Sequence, residues 1–427
     1  MDTDTLPRID RSSRPASAPS AAHATGTPAP VVALPRPARM FTARVALPPV
    51  ARFVPPNAAL LAAVTLFLAG FGLLMVLSSS SVEAGRDAGD PFSHFLRQSA
   101  ATIAGIVLML FASRAPRTLW LRVAPWALGG AIGVQLLTAL TPLGSRVGGN
   151  QNWIRIGPAS IQPSEFVKVA LILAVAGFFT RRPARTLGVK GLAPVLLLGI
   201  VAIASVALGK DMGTCMILAG IVLAGLVFAD VRWGPILTLV AGGAVAATIA
   251  VQAAGSRVER VGAWMQGCAG QQLDSCWQSQ QGTWALAAGG VLGKGLGNSV
   301  SKWFWLPEAD NDFILAVIGE ETGLVGLTLL LGLFVALTVG FLRVLTAARD
   351  PYTRVATGMT LAWIVGQALT NMAVVLGFLP VLGVPLPFIS SGGSSMVANL
   401  LAVGCVLSLA RQGSAGGALA ARGGGAA

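Results

Sequence analysis

The chain has 427 residues, 54% of them hydrophobic and only 11% charged, with a mean hydropathy of +0.73 and a formal charge of +13. Soluble domains carry about 25% charged residues, so the composition excludes a soluble globular enzyme and indicates an all-α polytopic membrane protein. The positive charge reads as topology and attraction to anionic lipid. A nucleic-acid surface is the weaker reading, because no basic patch is interleaved with aromatics.

In chain order, residues 1–56 come first, rich in Pro, Ala, Ser, Thr and Arg with little apolar periodicity. They read as a disordered basic tail. The first apolar run begins near residue 58, which suits a retained span and not a cleaved secretory signal. Ten runs near the 20 residues that cross a bilayer follow, at 58–77, 98–113, 119–140, 164–180, 191–208, 212–229, 234–253, 312–342, 355–377 and 392–410. Basic residues such as Arg52, Arg114, Arg117, Arg181, Arg182, Arg232, Arg343 and Arg354 all fall on one side of this ten-span bundle. That side is cytoplasmic by the positive-inside rule, with both termini inside and a bacterial plasma membrane as the natural home. The transmembrane domain is expected over 57–411, with a large extracellular loop at 254–311 between the seventh and eighth spans. Residues 412–427 read as a flexible cytoplasmic tail.

Histidine and cysteine limit the chemistry. The two histidines are His23 in the tail and His94 at the outer edge of a span. A Ser–His–Asp nucleophile would have to use His94, and the SSGGSS run at 390–395 has no nucleophile elbow. Acid–base work therefore falls to carboxylates or lysine. Cys215 and Cys405 lie within spans as small buried hydrophobes. Cys268 and Cys276, eight apart in the outer loop, are candidates for a local disulfide. No metal-ligand spacing for zinc occurs.

Two glycine-rich runs are ambiguous. GGVLGKGLGNS at 289–299 fails the phosphate-loop pattern, since Ala288 stands where a glycine is needed and Gly295 follows Lys294. A tight re-entrant or surface turn is the simpler reading, and backbone N–H groups beside Lys294 and Lys302 offer a contact for an anionic headgroup. Likewise SSGGSSMVANLL allows either close helix packing or hydroxyls and N–H groups, with Ser390 and Ser394, turned toward a phosphate.

Four polar groups on the outward side are harder to explain by packing. The first is NQNWIRIGPASIQPSEFVK, with Trp153, Arg155, Gln162, Glu165 and Lys168; Glu165 and Lys168 are three apart and share a helix face. The second is Lys210–Asp211. The third is CWQSQQGTW, with Gln278 and Gln281. The last is LPEADNDFILAVIGEETGLVG at 306–326, where Glu308, Asp310 and Asp312 abut an apolar run that contains Glu320 and Glu321. A charge within hydrocarbon costs roughly 2.5–3.5 kcal/mol on insertion scales, so such groups usually mark a function. An outward cavity holding cations and carboxylates suits a lipid-linked diphosphate substrate, with a carboxylate taking a proton from an attacking hydroxyl.

In this order the segments NWIRIGPASIQPSEFVK, KDMGT, the CWQSQQGTW-to-GEETGLVG block and LPFISSGGSSMVANLL resemble the SEDS (shape, elongation, division and sporulation) family, represented by FtsW and RodA. The resemblance covers residues 58–411. It implies a ten-helix peptidoglycan glycosyltransferase that polymerises lipid II outside the membrane and releases undecaprenyl diphosphate. The family's catalytic aspartate falls on Asp312. Its other motif positions fall on Trp153, on Gln162, Glu165 and Lys168, and on Asp211. Lys168, Arg155 and Lys302 are the expected charge partners, while Glu320 and Glu321 are expected to support helix packing. No cofactor is required by the resemblance, although a divalent cation, Mg or Mn, is left open. Its implied partners are a class B penicillin-binding protein and other division proteins. LSSSSVEAG after the first span and the basic tail look more like FtsW than RodA, so the septum is the expected location. An elongation polymerase of the RodA kind and a lipid II flippase are the alternatives. The chain departs from the family pattern at Asp310–Asn311, usually His-Thr, at Asn152, usually Arg, at Lys210, usually Pro, and at Ser391, often Tyr.

Overall fold

A computed structural model of the chain describes residues 55–423, apart from 88–89, 148, 158, 183–186, 253–261, 263 and 266–273. The basic tail at 1–54 and Cys268 therefore lie outside the described residues. Eleven α-helices are described: α1 Ala59–Asp87, α2 Ser93–Arg114, α3 Arg117–Leu140, α4 Pro163–Arg181, α5 Val189–Leu208 and α6 Met212–Phe228; then α7 Trp233–Gln252, α8 Asp274–Gly289, α9 Ile314–Ala347, α10 Pro351–Val375 and α11 Gly393–Gly423. Among the described residues eight helices are long and apolar enough to cross a membrane. Two shorter apolar stretches, Met212–Phe228 and Trp233–Val245, bring the number to the ten expected.

The spans are apolar on most faces, so burial, not amphipathicity, sorts them. α4, α10 and α11 are the most enclosed and form the centre. α2 turns Ile103, Val107 and Phe111 outward at helical spacing, as a lipid-facing stripe does. At the end opposite the candidate site, Arg117 pairs with Asp350 at 3.1 Å and Arg354 with Asp230 at 2.6 Å, tying α3, α6 and α10 together.

Three features differ from the sequence expectation. The segment between α3 and α4 is not a plain loop but a three-stranded antiparallel sheet, β1 Gly144–Val147, β2 Asn150–Ile156 and β3 Ala159–Ile161. Its register places Trp153 opposite Ser145 and Arg155 opposite Ser160. The outer loop after α7 contains α8.

The third difference is a break in α9. Thirty-four residues of helix would extend about 51 Å, well beyond a hydrocarbon core of about 30 Å. The helix is interrupted at Gly323, with φ 66° and ψ −166°, a conformation that glycine tolerates. The glycine turn after α8 fills the interruption. Leu324 and Val325 N–H donate to Gly290 and Val291 carbonyls at 3.0 and 3.1 Å, and Lys294 and Gly295 N–H donate to Glu320 and Glu321 carbonyls at 3.0 and 2.9 Å. Backbone that leaves the helix near a bilayer must find such partners. A Cβ on Gly293 would collide with the Glu321 carbonyl, and one on Gly323 with the Gly293 backbone.

The two carboxylates beside the break are satisfied locally. Glu320 accepts from Lys294 at 2.6 Å, Ser299 Oγ at 2.6 Å and the Val300 and Ser301 N–H groups at 3.1 and 3.2 Å. Glu321 accepts from Ser78 of α1 at 2.6 Å and faces Lys302 at 3.3 Å. The expectation that these glutamates serve packing agrees with this geometry. Lys294 and Lys302 are both engaged by these carboxylates.

Candidate active site

Asp312 lies in the turn Leu306–Phe313, just ahead of α9. Its position is set by three consecutive backbone carbonyls. Ser391 N–H donates to the Asp310 carbonyl at 2.8 Å, Ser390 Oγ to that of Asn311 at 2.7 Å, and Asn371 Nδ2 to that of Asp312 at 2.7 Å. Asn371 also donates to the Val384 carbonyl at 2.8 Å, and Gln367, one turn earlier on α10, donates to Pro385 at 2.8 Å. The loop between α10 and α11 is thus laced to α10 and in turn clamps the turn. From the other side α8 covers it: Gln278 donates to the Pro307 carbonyl at 3.2 Å, Gln281 is buried, and Gly282 lies against Phe313.

A second group converges from the sheet and α6. Asp211 caps α6, accepting from Thr214 N–H at 2.9 Å and Thr214 Oγ1 at 2.8 Å. Its Oδ2 also accepts from Gln162 at 3.1 Å, while Gln162 N–H donates to Ser394 Oγ at 3.2 Å. Asn152 has a structural reason to replace arginine. It is fully buried, donates to the Gly209 carbonyl at 3.2 Å and accepts from Gln135 at 2.8 Å. Gly209 packs so closely on its amide that even a Cβ would not fit. These bonds bring the starts of α4, α6 and α11 together beside the Asp312 turn ahead of α9.

Asp312 is the electrostatic centre. Burial of its carboxyl, followed by the negative charges of Glu308, Asp211 and Asp310, raises its pKa from 3.8 to about 7. A carboxylate with that pKa exchanges protons efficiently at neutral pH. Gly383 sits beside it, with no side chain to cover the carboxyl.

Beside this cluster a cavity of about 660 Å³ lies between α2, the sheet, α4 and α11. Trp153, Ser160, Ser391, Gly392 and Ser394 line it, with His94 and Arg97 as its charged or ionisable groups. A second, apolar cavity of about 360 Å³ follows between α3, the sheet and α4, and shares Ile161 and Phe166 with the first. A largely apolar chamber that carries an arginine, a histidine and serine hydroxyls, walled off by Ile161 and Phe166 from a wholly apolar neighbour, suits a headgroup with a lipid tail.

Residues 58–415 match the pattern of the FtsW/RodA/SpoVE family, described as cell cycle proteins. The chain belongs to that family. It is 37% identical to the "Probable peptidoglycan glycosyltransferase FtsW" of Coxiella burnetii, over 82% of this chain and 94% of the relative. A Mycobacterium tuberculosis protein of the same name is 36% identical over 83% of this chain and 67% of its own length. The stage V sporulation protein E of Bacillus subtilis is 33% identical, over 82% and 96%. Among solved structures, a chain of a peptidoglycan synthase complex that coordinates polymerization and crosslinking superposes with a TM-score of 0.67 at 24% identity, covering 83% of this chain and 97% of that one. The Thermus thermophilus rod shape determining protein RodA superposes with a TM-score of 0.61, also at 24% identity, over 82% and 96%. The resemblance read from the motifs thus extends over the whole membrane domain, and with it the assignment as a glycosyltransferase of this family.

The structure divides the site residues read from the sequence into two sets. Asp312, Glu308, Asp211, Gln162, Ser390 and Ser394 come together around the turn, with Trp153 in the adjoining cavity. Arg155 is exposed on β2 opposite Ser160, at the rim. Lys168 and Lys302 are held elsewhere. Lys168 is buried with Glu165 at 2.7 Å, accompanied by Gln367 at 3.2 Å and the Trp363 ring at 4.7 Å. Lys302 faces Glu321 and Ser78. Cys276 is disulfide-bonded, while its expected partner Cys268 lies outside the described residues. No group of three His, Cys, Asp or Glu side chains among the described residues is arranged to hold a metal ion, so no step is routed through a divalent cation. Sequence reasoning missed Arg97 and Asn371. Asn371, one of two amides with Gln367 in the apolar run at 355–377, was a readable signal, because a buried amide needs partners.

Proposed function

We propose that this chain polymerises lipid II into glycan strands on the outer face of the membrane during cell division, with Asp312 as general base. The single observation that carries the reading is Asp312 itself: a carboxylate with its pKa raised to about 7, its turn clamped by three neighbouring carbonyl contacts, beside a cavity that holds Arg97 and serine hydroxyls and adjoins an apolar one. The donor's diphosphate lies in the cavity near Arg97 and the α11 N-terminus, and its lipid tail in the groove beside α3. Asp312 takes the proton from the acceptor sugar hydroxyl. The resulting oxygen attacks the donor's anomeric carbon, and that carbon's bond to the diphosphate breaks with inversion. A glycosidase's pair of carboxylates across one bond is not needed.

The basic ends of the spans support cytoplasmic termini, which puts the Asp312 turn outside. FtsW proteins are among the relatives at 36–37% identity, which favours division over elongation. The structural likeness to a chain of a synthase complex supports a class B penicillin-binding protein as partner. Purified protein with that partner and lipid II is expected to make glycan strands, and Asp312→Asn to make none while remaining folded. Unchanged polymerisation by Asp312→Asn would exclude this base.

A further inference from the structure

His94 has no role in the reading above, yet it lies where the donor would. It stands in the first turn of α2 and its ring lines the 660 Å³ cavity, three residues before Arg97, which lines the same cavity. Its Nδ1 is 3.6 Å from Asp310 Oδ2. That is ion-pair range for a protonated imidazole and too long for a direct hydrogen bond. Asp310 is well placed to hold it, because its own backbone carbonyl is fixed by Ser391 N–H at 2.8 Å. The helix is fixed as well: Gln98 accepts from Gly392 N–H at 3.0 Å. Both sides of the pair are thus anchored to the loop ahead of α11.

The surrounding charges are Arg97 on the same helix, Asp310 across from it, and Glu308 and Asp312 in the same turn as Asp310. The sheet, α4 and α11 contribute only uncharged groups to the cavity lining. A carboxylate on one edge of an imidazole favours its charged, doubly donating form. A chamber with one arginine supplies one permanent cation, whereas a diphosphate carries at least two negative charges. An imidazolium beside the arginine makes up the difference.

We propose that His94, oriented by Asp310, is a binding residue for the diphosphate of the lipid-linked donor, acting beside Arg97. This rests on the donor placement given above. The test is direct binding of undecaprenyl diphosphate to the full-length protein in nanodiscs, with undecaprenol as the uncharged control. His94→Gln and Asp310→Asn are each expected to weaken diphosphate binding about tenfold, the scale of one charge-assisted hydrogen bond. The double variant is expected to lose little more than either single one, because the two act as a unit. Undecaprenol binding stays the same throughout. Wild-type affinity falls several-fold from pH 6 to pH 8, whereas His94→Arg retains affinity at pH 8 and keeps only the shallower pH dependence that Asp312 contributes.

Unchanged diphosphate binding in His94→Gln overturns the inference, as does an equal loss for undecaprenol, which would mean a packing role. Displacement of the probe by phosphatidylglycerol at matched concentration overturns the assignment to the donor in favour of a bulk lipid headgroup. The two readings fail separately. If Asp312→Asn abolishes polymerisation while His94→Gln binds normally, only this inference falls. If diphosphate binding follows the expected pattern but lipid II is never polymerised, the functional reading falls and the site remains.

Discussion

Glu308→Gln tests whether the charges around Asp312 tune it as a base. Glu308 is exposed, and its charge is the second-largest cause, after burial, of the rise in Asp312's pKa to about 7. Because Glu308 itself is exposed and its charge is screened by water, removing it is expected to lower the Asp312 pKa by roughly half to one unit. The base acts in its ionised form, so activity is lost as pH falls through its pKa, and removing a negative neighbour moves that loss to lower pH. At pH 6 a base with a pKa of about 7 is about one-tenth ionised. Lowering it by half to one unit raises that to roughly one-quarter to one-half. The assay is initial polymerisation of lipid II between pH 5 and 9, each variant scaled to its own plateau. The acid limb of Glu308→Gln should move down by that amount, and the difference should shrink at high salt, which screens exposed charges. An acid limb that stays in place, or moves up, would refute the reasoning.

Two further outcomes follow from the geometry. Asn371→Ala removes the donors to the Asp312 and Val384 carbonyls and leaves both without that partner, a loss on the order of 2–4 kcal/mol; kcat should fall at least tenfold with a smaller change in KM, measured alongside thermal unfolding in detergent. Lys302→Met strands the buried Glu321 and should destabilise the protein by about 3–5 kcal/mol, while Lys302→Met with Glu321→Leu recovers much of that loss in the same melting assay.

The span count, the outward polar segments and Asp312 were legible because they depend on apolar length and on charge in unusual places, both local properties. The sheet was not, since NQNWIRI is too short to separate strand from loop without its pairing partners. The fates of Lys168 and Lys302 were also hidden. The Glu165–Lys168 pair was readable from its i,i+3 spacing, but not its enclosure beside Gln367 and the Trp363 ring, and Lys302 meets Glu321 across nineteen positions. Arg97 escaped notice because a single arginine near a span end resembles an orientation signal. His94 was singled out for its rarity, but its neighbour Asp310 is 216 positions away, and no periodicity connects them.

The break at Gly323 gives the enzyme a working height. From Leu324 to Ala347 the helix alone covers about 36 Å, enough to cross a hydrocarbon core of about 30 Å. The separate half-helix Ile314–Thr322 therefore adds nothing to the crossing and serves as a pedestal, lifting Asp312 by up to about 16 Å of chain rise beyond the break. The glycine turn locked into the break keeps the pedestal from sinking. A sugar tethered to a membrane tail by a diphosphate is carried at about that altitude, whereas an untethered sugar samples every height.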